Sequence, residues 1–523
     1  MKRIFSSLLL VALILSLTVS CGQAGKGGEF IINNGTEPQT LDPSKISGVP
    51  EHRIYMALFE GLVINDPKTS LAAPGLAESW TVSNEGTTIT FKLRKSVWSD
   101  GTPVTAHTFV KSWLRTLAPE TGAEYAYMIT MVVKGAEDYN TGKAGPEAVA
   151  VKALDDYTLQ VDLIGPMPYA VDMMAHYAYA VLPMHVIEKL GDDWIKPENI
   201  VCNGPFKLEE WKPKEYLTVV KNPKYWDAKN VKLSKIKFLP IDDNNTAYNM
   251  YKNGEMDWNT GVPLDMIDEA RVRPDYQVAP QVATYYYIFN MTRKPFTDVR
   301  VRKALAMALD RQELVTKVTK GGQMPTYAMV PPMEGYTPAA GNPFNVAEAQ
   351  KLLAEAGYPN GKGFPKVVLL YNTSEGHKKI AEWAQEQWKK YLGIEVALVN
   401  QEWKTYLDTR QNSHDFDFCR AGWVGDYLDP NTFLDMFIST SGLNDGLYNN
   451  PQFDELVKKA ATMPAGTERL KVLQQAEEIM VTQDQHVIPL YHYVNIDLID
   501  LSKWGGWYPN PLGIHNWKFI FRK

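Results

Sequence analysis

Residues 367–399 constrain the fold more than any other stretch. Val367, Val368, Leu369 and Leu370 make an apolar run of strand length. Ser374 stands where a helix N-cap would, and Ile380, Trp383, Ala384, Trp388 and Leu392 recur behind it at helical spacing. Ile394-Glu-Val-Ala-Leu-Val399 is a second strand. A strand–helix–strand unit of this length brings the chain back parallel to itself through a right-handed crossover. The unit therefore predicts an α/β protein with a parallel sheet, whose ligand sites gather at the carboxyl ends of the strands. Three such ends are legible. Residues 372–377 end on His377 and residues 400–403 on Trp403. The third stretch is Phe416-Asp-Phe-Cys-Arg-Ala-Gly-Trp-Val-Gly-Asp-Tyr-Leu-Asp-Pro430. There Phe416 to Phe418 reads as the end of a strand, followed by Arg420, Gly422, Gly425 and Asp426. Two readings stand for it. One is a surface turn closed by an internal Arg420–Asp426 pair. The other is a ligand-facing strand end with opposite charges for the two ends of a zwitterion. If the three strands share a sheet, His377, Trp403, Arg420 and Asp426 converge on one cleft.

The N-terminal half is read as mainly β, with short helices between. Strands are expected at 29–33, 206–208, 217–220, 236–239 and 284–290, and a hairpin at 79–93 turns through Asn84-Glu-Gly86. Thr105 is placed to cap a helix bearing Phe109, Trp113 and Leu117. Tyr285, Tyr286 and Tyr287 must point to alternate faces of their strand. Asp298 is read as the cap of one long helix to Val318. The helix from Trp403 to Arg410 presents Arg410 near Asp408, a pattern read as a solvated charge. With 523 residues the chain suits two to four domains.

A net charge of −6 and the lack of a basic stripe argue against nucleic-acid binding. The G-x-S-x-G, H-E-x-x-H, P-loop and G-x-G-x-x-G patterns are all missing, so no catalytic residues, cofactor or metal are assigned. The N-terminus has its own logic. Lys2 and Arg3 precede an apolar run from Leu8 to Leu17 that is too short to span a bilayer, and small residues lead to Cys21. This reads as a secretory leader over 1–20 with a lipobox-like Cys21, although Leu17 stands four positions before the cysteine where the usual lipobox has it three before. Acyl chains on Cys21 would attach the protein to a membrane surface. Cys202 and Cys419 could form one disulfide in an oxidising compartment.

Several short motifs, in order, resemble the periplasmic oligopeptide-binding proteins of ABC importers, solute-binding protein family 5. They include Gly35-Thr-Glu-Pro-Gln-Thr-Leu-Asp-Pro43, Trp98-Ser-Asp-Gly-Thr-Pro-Val-Thr-Ala106, Asn203-Gly-Pro-Phe-Lys-Leu208, Phe296-Thr-Asp-Val-Arg-Val-Arg302, Tyr371-Asn-Thr-Ser374 and Arg420-Ala-Gly-Trp423. The resemblance implies a two-lobed periplasmic-binding-protein fold (type II, large cluster C form) with an extra inserted domain. Residues 21–60, 185–286 and 492–523 would form lobe I, 61–184 the extra domain and 287–491 lobe III. It implies a monomeric receptor, with no enzymatic activity, in the periplasm or at the cell surface. Such a receptor takes short peptides and delivers them to an inner-membrane ABC permease complex. Relatives that carry a sugar, a nickel complex or an opine are the alternative, and a secreted hydrolase is a more distant one. By the same resemblance Asp426, supported by Tyr125, pairs with the peptide α-amino group. Arg420, His377, Arg410 and Lys320 are the cations for its carboxylate, and Trp403 is a pocket wall. Ser47, Gly48 and Val49 form one strand beside the peptide, and Gly422, Trp423 and Val424 form the other. The best-known members have Glu where this chain has Ser47, which suggests a weaker preference for basic side chains.

Overall fold

Two long antiparallel strands, Tyr276–Phe289 and Val487–Ile499, carry the architecture. The computed structural model describes residues 28–523, so the leader and Cys21 lie outside the described residues. At one end of the long pair, Val487–Ile499 adjoins Trp258–Asn259, and the sheet continues through Glu29–Asn33, Lys235–Leu239, Tyr216–Lys221 and Phe206–Lys212. At the other end, Tyr276–Phe289 adjoins Phe418–Val424, followed by Val367–Asn372 and Val396–Gln401. Met324–Pro325 pairs with Val487–Ile499 off this path, and the result is an eleven-stranded mixed sheet, whose central pair shifts register between Pro280 and Thr284 and again between Tyr285 and Tyr286.

The α/β unit forms as its spacing predicts. Val367–Asn372 and Val396–Gln401 run parallel, joined by the helix Glu375–Leu392, which buries Ile380, Ala384, Trp388 and Leu392. The tyrosine run alternates: Tyr286 enters one apolar core, and Tyr285 and Tyr287 enter another. Residues 61–184 contain a separate four-stranded antiparallel sheet, in the order Ala77–Ser83, Thr88–Leu93, Thr158–Asp162, Val151–Asp155. The expected hairpin and the helix Ala106–Leu117 behind Thr105 are both part of this region.

Three expectations change. The helix begun by Asp298 stops at Met307, and Asp310 starts a new one by accepting from the Glu313 amide. The break is stabilised by the buried Arg311 guanidinium, which donates to the carbonyls of Ala306, Leu309 and Pro489. The strand expected to end at Phe418 begins there instead and runs to Val424. Finally, Cys202 and Cys419 are both buried free thiols. Cys202 precedes the edge strand Phe206–Lys212, and six strands separate that edge from Phe418–Val424. Seven spacings of ~4.8 Å make the gap about 34 Å, far beyond disulfide reach.

Candidate functional site

A cavity of ≈ 530 Å³ lies against the strand Phe418–Val424. The strand's alternation decides what faces it. Cys419 and Ala421 are buried on one side, whereas Arg420, Gly422 and Val424 share the other and line the cavity. Trp423 lines its edge, with the Tyr125 ring stacked parallel at 6.3 Å.

Asp426 follows the strand and fixes one end of the cavity. Its amide donates to the Thr432 hydroxyl at 3.0 Å, which aims the carboxylate inward. Oδ1 lies 3.4 Å from Nε2 of His176, and Oδ2 has no hydrogen-bond partner among the described residues. Burial, with Asp435 nearby, pushes this carboxyl well above the ordinary range. His176 cannot neutralise it, because burial and the neighbouring His52 hold its own pKa well below the usual value. Tyr125 closes over His176 with ring centres 4.6 Å apart, so the tyrosine expected at this end does border it.

Arg420 occupies the other end. It donates to the Tyr493 phenol at 2.7 Å and to Asn372 Oδ1 at 3.3 Å, and its guanidinium lies 4.7 Å from the centre of the Tyr285 ring. None of these partners is an anion, and Nε has no partner among the described residues. Burial opposes the charge, but the phenols of Tyr493 and Tyr285 outweigh it and hold the guanidinium above its ordinary pKa. Arg420 and Asp426 are six residues apart, at most about 20 Å at ~3.3 Å per residue, and each has other partners. The internal Arg–Asp turn is therefore not what forms.

The remaining sequence-predicted residues divide. His377 lines the cavity with Nδ1 3.4 Å from the Tyr285 hydroxyl. Burial and then Arg420 press its pKa well down, so it stands there as a neutral hydrogen-bonding group and not as a cation. Arg410 also lines the cavity, but it is part-buried and its Nε meets Asp445 Oδ2 at 2.8 Å; it is neither a solvated charge nor a free one. Lys320 is not among the lining residues. It sits in a left-handed C-cap (φ 54°) after the wide turn Leu314–Thr319, and its ammonium is 4.0 Å from Asp268. Trp403 lines the cavity and donates to Glu51 Oε1 at 3.2 Å. Ser47, Gly48 and Val49 border the cavity without forming a strand. Val49 opens the helix Val49–Leu58, whose first turn holds Pro50, and Gly48 before it has extended backbone. Sequence reasoning missed His176, Tyr493 and Asp445, whose partners are remote in the chain. Nothing local to those positions marks them.

Two sub-sheets joined by a central strand pair, with a cavity that spans both, define a two-lobed periplasmic-binding-protein fold. The family model "Bacterial extracellular solute-binding proteins, family 5 Middle" matches residues 72–445, and the chain belongs to this family. It is 39% identical to the periplasmic oligopeptide-binding protein OppA of Salmonella typhimurium over 97% of this chain and 95% of that one. It superposes on Haemophilus influenzae OppA in complex with the peptide RPPGFSPFR with a TM-score of 0.91, at 37% identity over 95% and 99% of the two chains. With the unliganded open form of the murein tripeptide-binding protein MppA the TM-score falls to 0.64, at 36% identity over 95% and 98%. Identity and coverage being equal, the lower score reflects a different arrangement of the lobes.

Proposed function

We propose that this protein is an extracytoplasmic receptor that captures short peptides in extended form and delivers them to an inner-membrane ABC permease, with no covalent step. One observation carries the reading: Asp426 and Arg420 lie near opposite ends of one strand, buried in one cavity, and neither has a counter-ion. An extended zwitterion supplies both. Their separation, at most ~20 Å along the chain and less by the reach of the two side chains, suits a peptide of about three or four residues. In this assignment Asp426, with Tyr125 and His176 beside it, anchors the α-amino group. Arg420 takes the carboxylate and neutral His377 adds a hydrogen bond. The cavity-facing backbone at Gly422 and at the extended Gly48 pairs with the peptide main chain by β-augmentation, which makes few demands on side chains. The relatives named as oligopeptide-binding proteins support the same ligand class.

The lobes proposed are 21–60 with 185–286 and 492–523, and 287–491, with 61–184 as an added domain. The long central strands serve as the hinge, and lipid on Cys21 holds the receptor at a membrane. Calorimetry with a tetrapeptide tests the core of this. The free peptide is expected to bind, and Nα-acetylation or C-terminal amidation is each expected to weaken it about tenfold or more, since each removes a charge-assisted pair. Mass spectrometry should recover the peptide intact. Equal affinity for a doubly blocked peptide overturns the end-group assignment, and cleavage overturns the receptor assignment.

A further inference from the structure

The strand Glu29–Asn33 enters the fold at a point ringed by cations. Residues 221–237 and 503–523 together hold ten lysines and arginines and a single carboxylate, Asp227, in a chain whose net charge is −6. That carboxylate is buried and meets Lys518 at 3.5 Å, so it offers nothing to the outer cations. The two stretches are remote in sequence and meet in the fold. Trp504–Gly505 pairs with Phe521–Arg522, and the Trp504 ring packs on Phe30 with centres 4.6 Å apart. The Gly28 carbonyl accepts from the Ser234 hydroxyl at 3.4 Å, and a Cβ on Gly28 would stand 3.7 Å from Nη1 of Arg522. Lys232 and Ser234 alternate with the buried Val231 and Leu233 and are exposed. Lys229, Lys232, Arg522 and Lys523 are all exposed, and none pairs with a carboxylate among the described residues. Their neighbours Lys235 and Lys503 do pair, with Glu209 at 2.6 Å and with Asp500 at 3.2 Å. Phe521, 36% exposed, adds an aromatic ring to this face, and Glu29 is the exposed acid beside it.

The place of this face in the chain gives it a partner. Cys21 precedes Gly28 by seven residues, a reach of at most ~25 Å when fully extended. A lipid on Cys21 therefore keeps the face within that distance of a bilayer surface. Clustered lysines and arginines next to a membrane attachment point bind anionic headgroups, an attraction that falls off within about 10 Å. A partly exposed aromatic ring suits the headgroup layer. Asn33, at the far end of the same strand, lines the peptide cavity, ~13 Å from Glu29 at ~3.3 Å per residue. We propose that this end of the molecule is a docking surface for anionic phospholipid headgroups, which holds the anchored receptor with its cavity turned away from the bilayer. The inference rests on the lipid-anchor reading above. Capture of peptides from solution suits the docked state, and delivery to a permease requires the face to let go.

The test measures co-sedimentation with vesicles of phosphatidylcholine, alone or with about a third phosphatidylglycerol. The intact protein carrying Cys21→Ala separates the face from the lipid. It is expected to partition at least about tenfold more strongly to the anionic vesicles and to lose that preference as salt is raised. Lys229→Glu with Lys232→Glu should cut the anionic partition about tenfold or more. Lys351→Glu with Lys389→Glu, an equal change of charge on exposed helix positions elsewhere, should leave it nearly unchanged. Both double variants should keep wild-type affinity for a tetrapeptide. Equal partition to the two vesicles overturns the proposal and leaves the face to an acidic protein partner. Equal losses in the two double variants overturn the assignment to this face. Palmitate labelling of the unsubstituted protein reads the anchor separately: no label overturns the lipid reading, while the vesicle preference of the Cys21→Ala protein decides the face. That preference and its salt dependence need no charge variant, so a variant that does not fold leaves the proposal testable.

Discussion

Asp426 is a carboxyl group placed where its charged form is least stable, and that gives it a signature separable from general destabilisation. Its folded pKa is raised by burial and by Asp435. The stability it contributes is therefore full below its unfolded value of about 3.9 and is lost as pH rises toward the folded value. Asp426→Asn removes the titration. Asp435, at about 7, titrates in the same window in both proteins and its effect largely cancels, while His176 stays neutral throughout it. The unliganded variant should gain on wild type in Tm as pH rises from about 4 toward the folded value, by at most about 1 °C per pH unit, scaled from ~1.4 kcal/mol per pH unit. Affinity for a free-amino peptide should meanwhile fall about tenfold or more. A flat Tm difference across that range would show that Asp426 is ionised and satisfied without ligand. Wild-type affinity would remove it from the amino anchor.

At the scale of elements, Phe418–Val424 matters most because it presents a cation and a bare backbone on one face. A Cβ at Gly422 would stand 2.8 Å from Nη2 of Arg420 and 2.8 Å from the Tyr493 hydroxyl, so glycine is what lets that hydrogen bond form beside the strand. Gly422→Val should displace the guanidinium and raise Kd for a free-carboxylate peptide about tenfold, with a smaller effect on the amidated peptide. Equal losses for both would assign Gly422 to main-chain pairing alone. This strand also marks where the sequence stops being legible. The unit at 367–399 could be read because one buried face dictates both apolar periods. Arg420 and Gly422 interrupt that signal because their face borders a cavity and not a core, so the strand was cut short at Phe418. Asp310, by contrast, carried a usable mark: with Glu313 three residues on, it has the spacing of a cap. The site itself was half visible. Asp426, Arg420, His377 and Trp403 sit at or beside strand ends, whereas His176 reaches Asp426 from 250 positions away. The Asp445 that neutralises Arg410 lies on a loop whose sequence says nothing of its partner.

Over the whole molecule, the two sub-sheets are joined by the central strands and by contacts that include those around the cavity, and such contacts bear on how far the lobes stand apart. Lys379 pairs with Asp265 at 2.5 Å and Asn245 donates to Glu375 at 2.7 Å, each joining the 244–265 region to the helix Glu375–Leu392. Both contacts are exposed, so each contributes only about 0–1 kcal/mol. That is enough to bias an equilibrium between open and closed arrangements without locking it. Loss of Lys379 should leave the site's own groups in place and lower only the population of the binding-competent form. Lys379→Ala is therefore expected to raise Kd by up to about fivefold, by a similar factor for every peptide tested. The change should lie chiefly in a faster koff, and it should shrink as salt screens the wild-type pair. Small-angle scattering should find the unliganded variant more expanded than wild type and the peptide-saturated forms alike. A peptide-dependent penalty would make Lys379 a ligand contact, and unchanged scattering with unchanged Kd would leave closure to the buried contacts at Trp403 and His176.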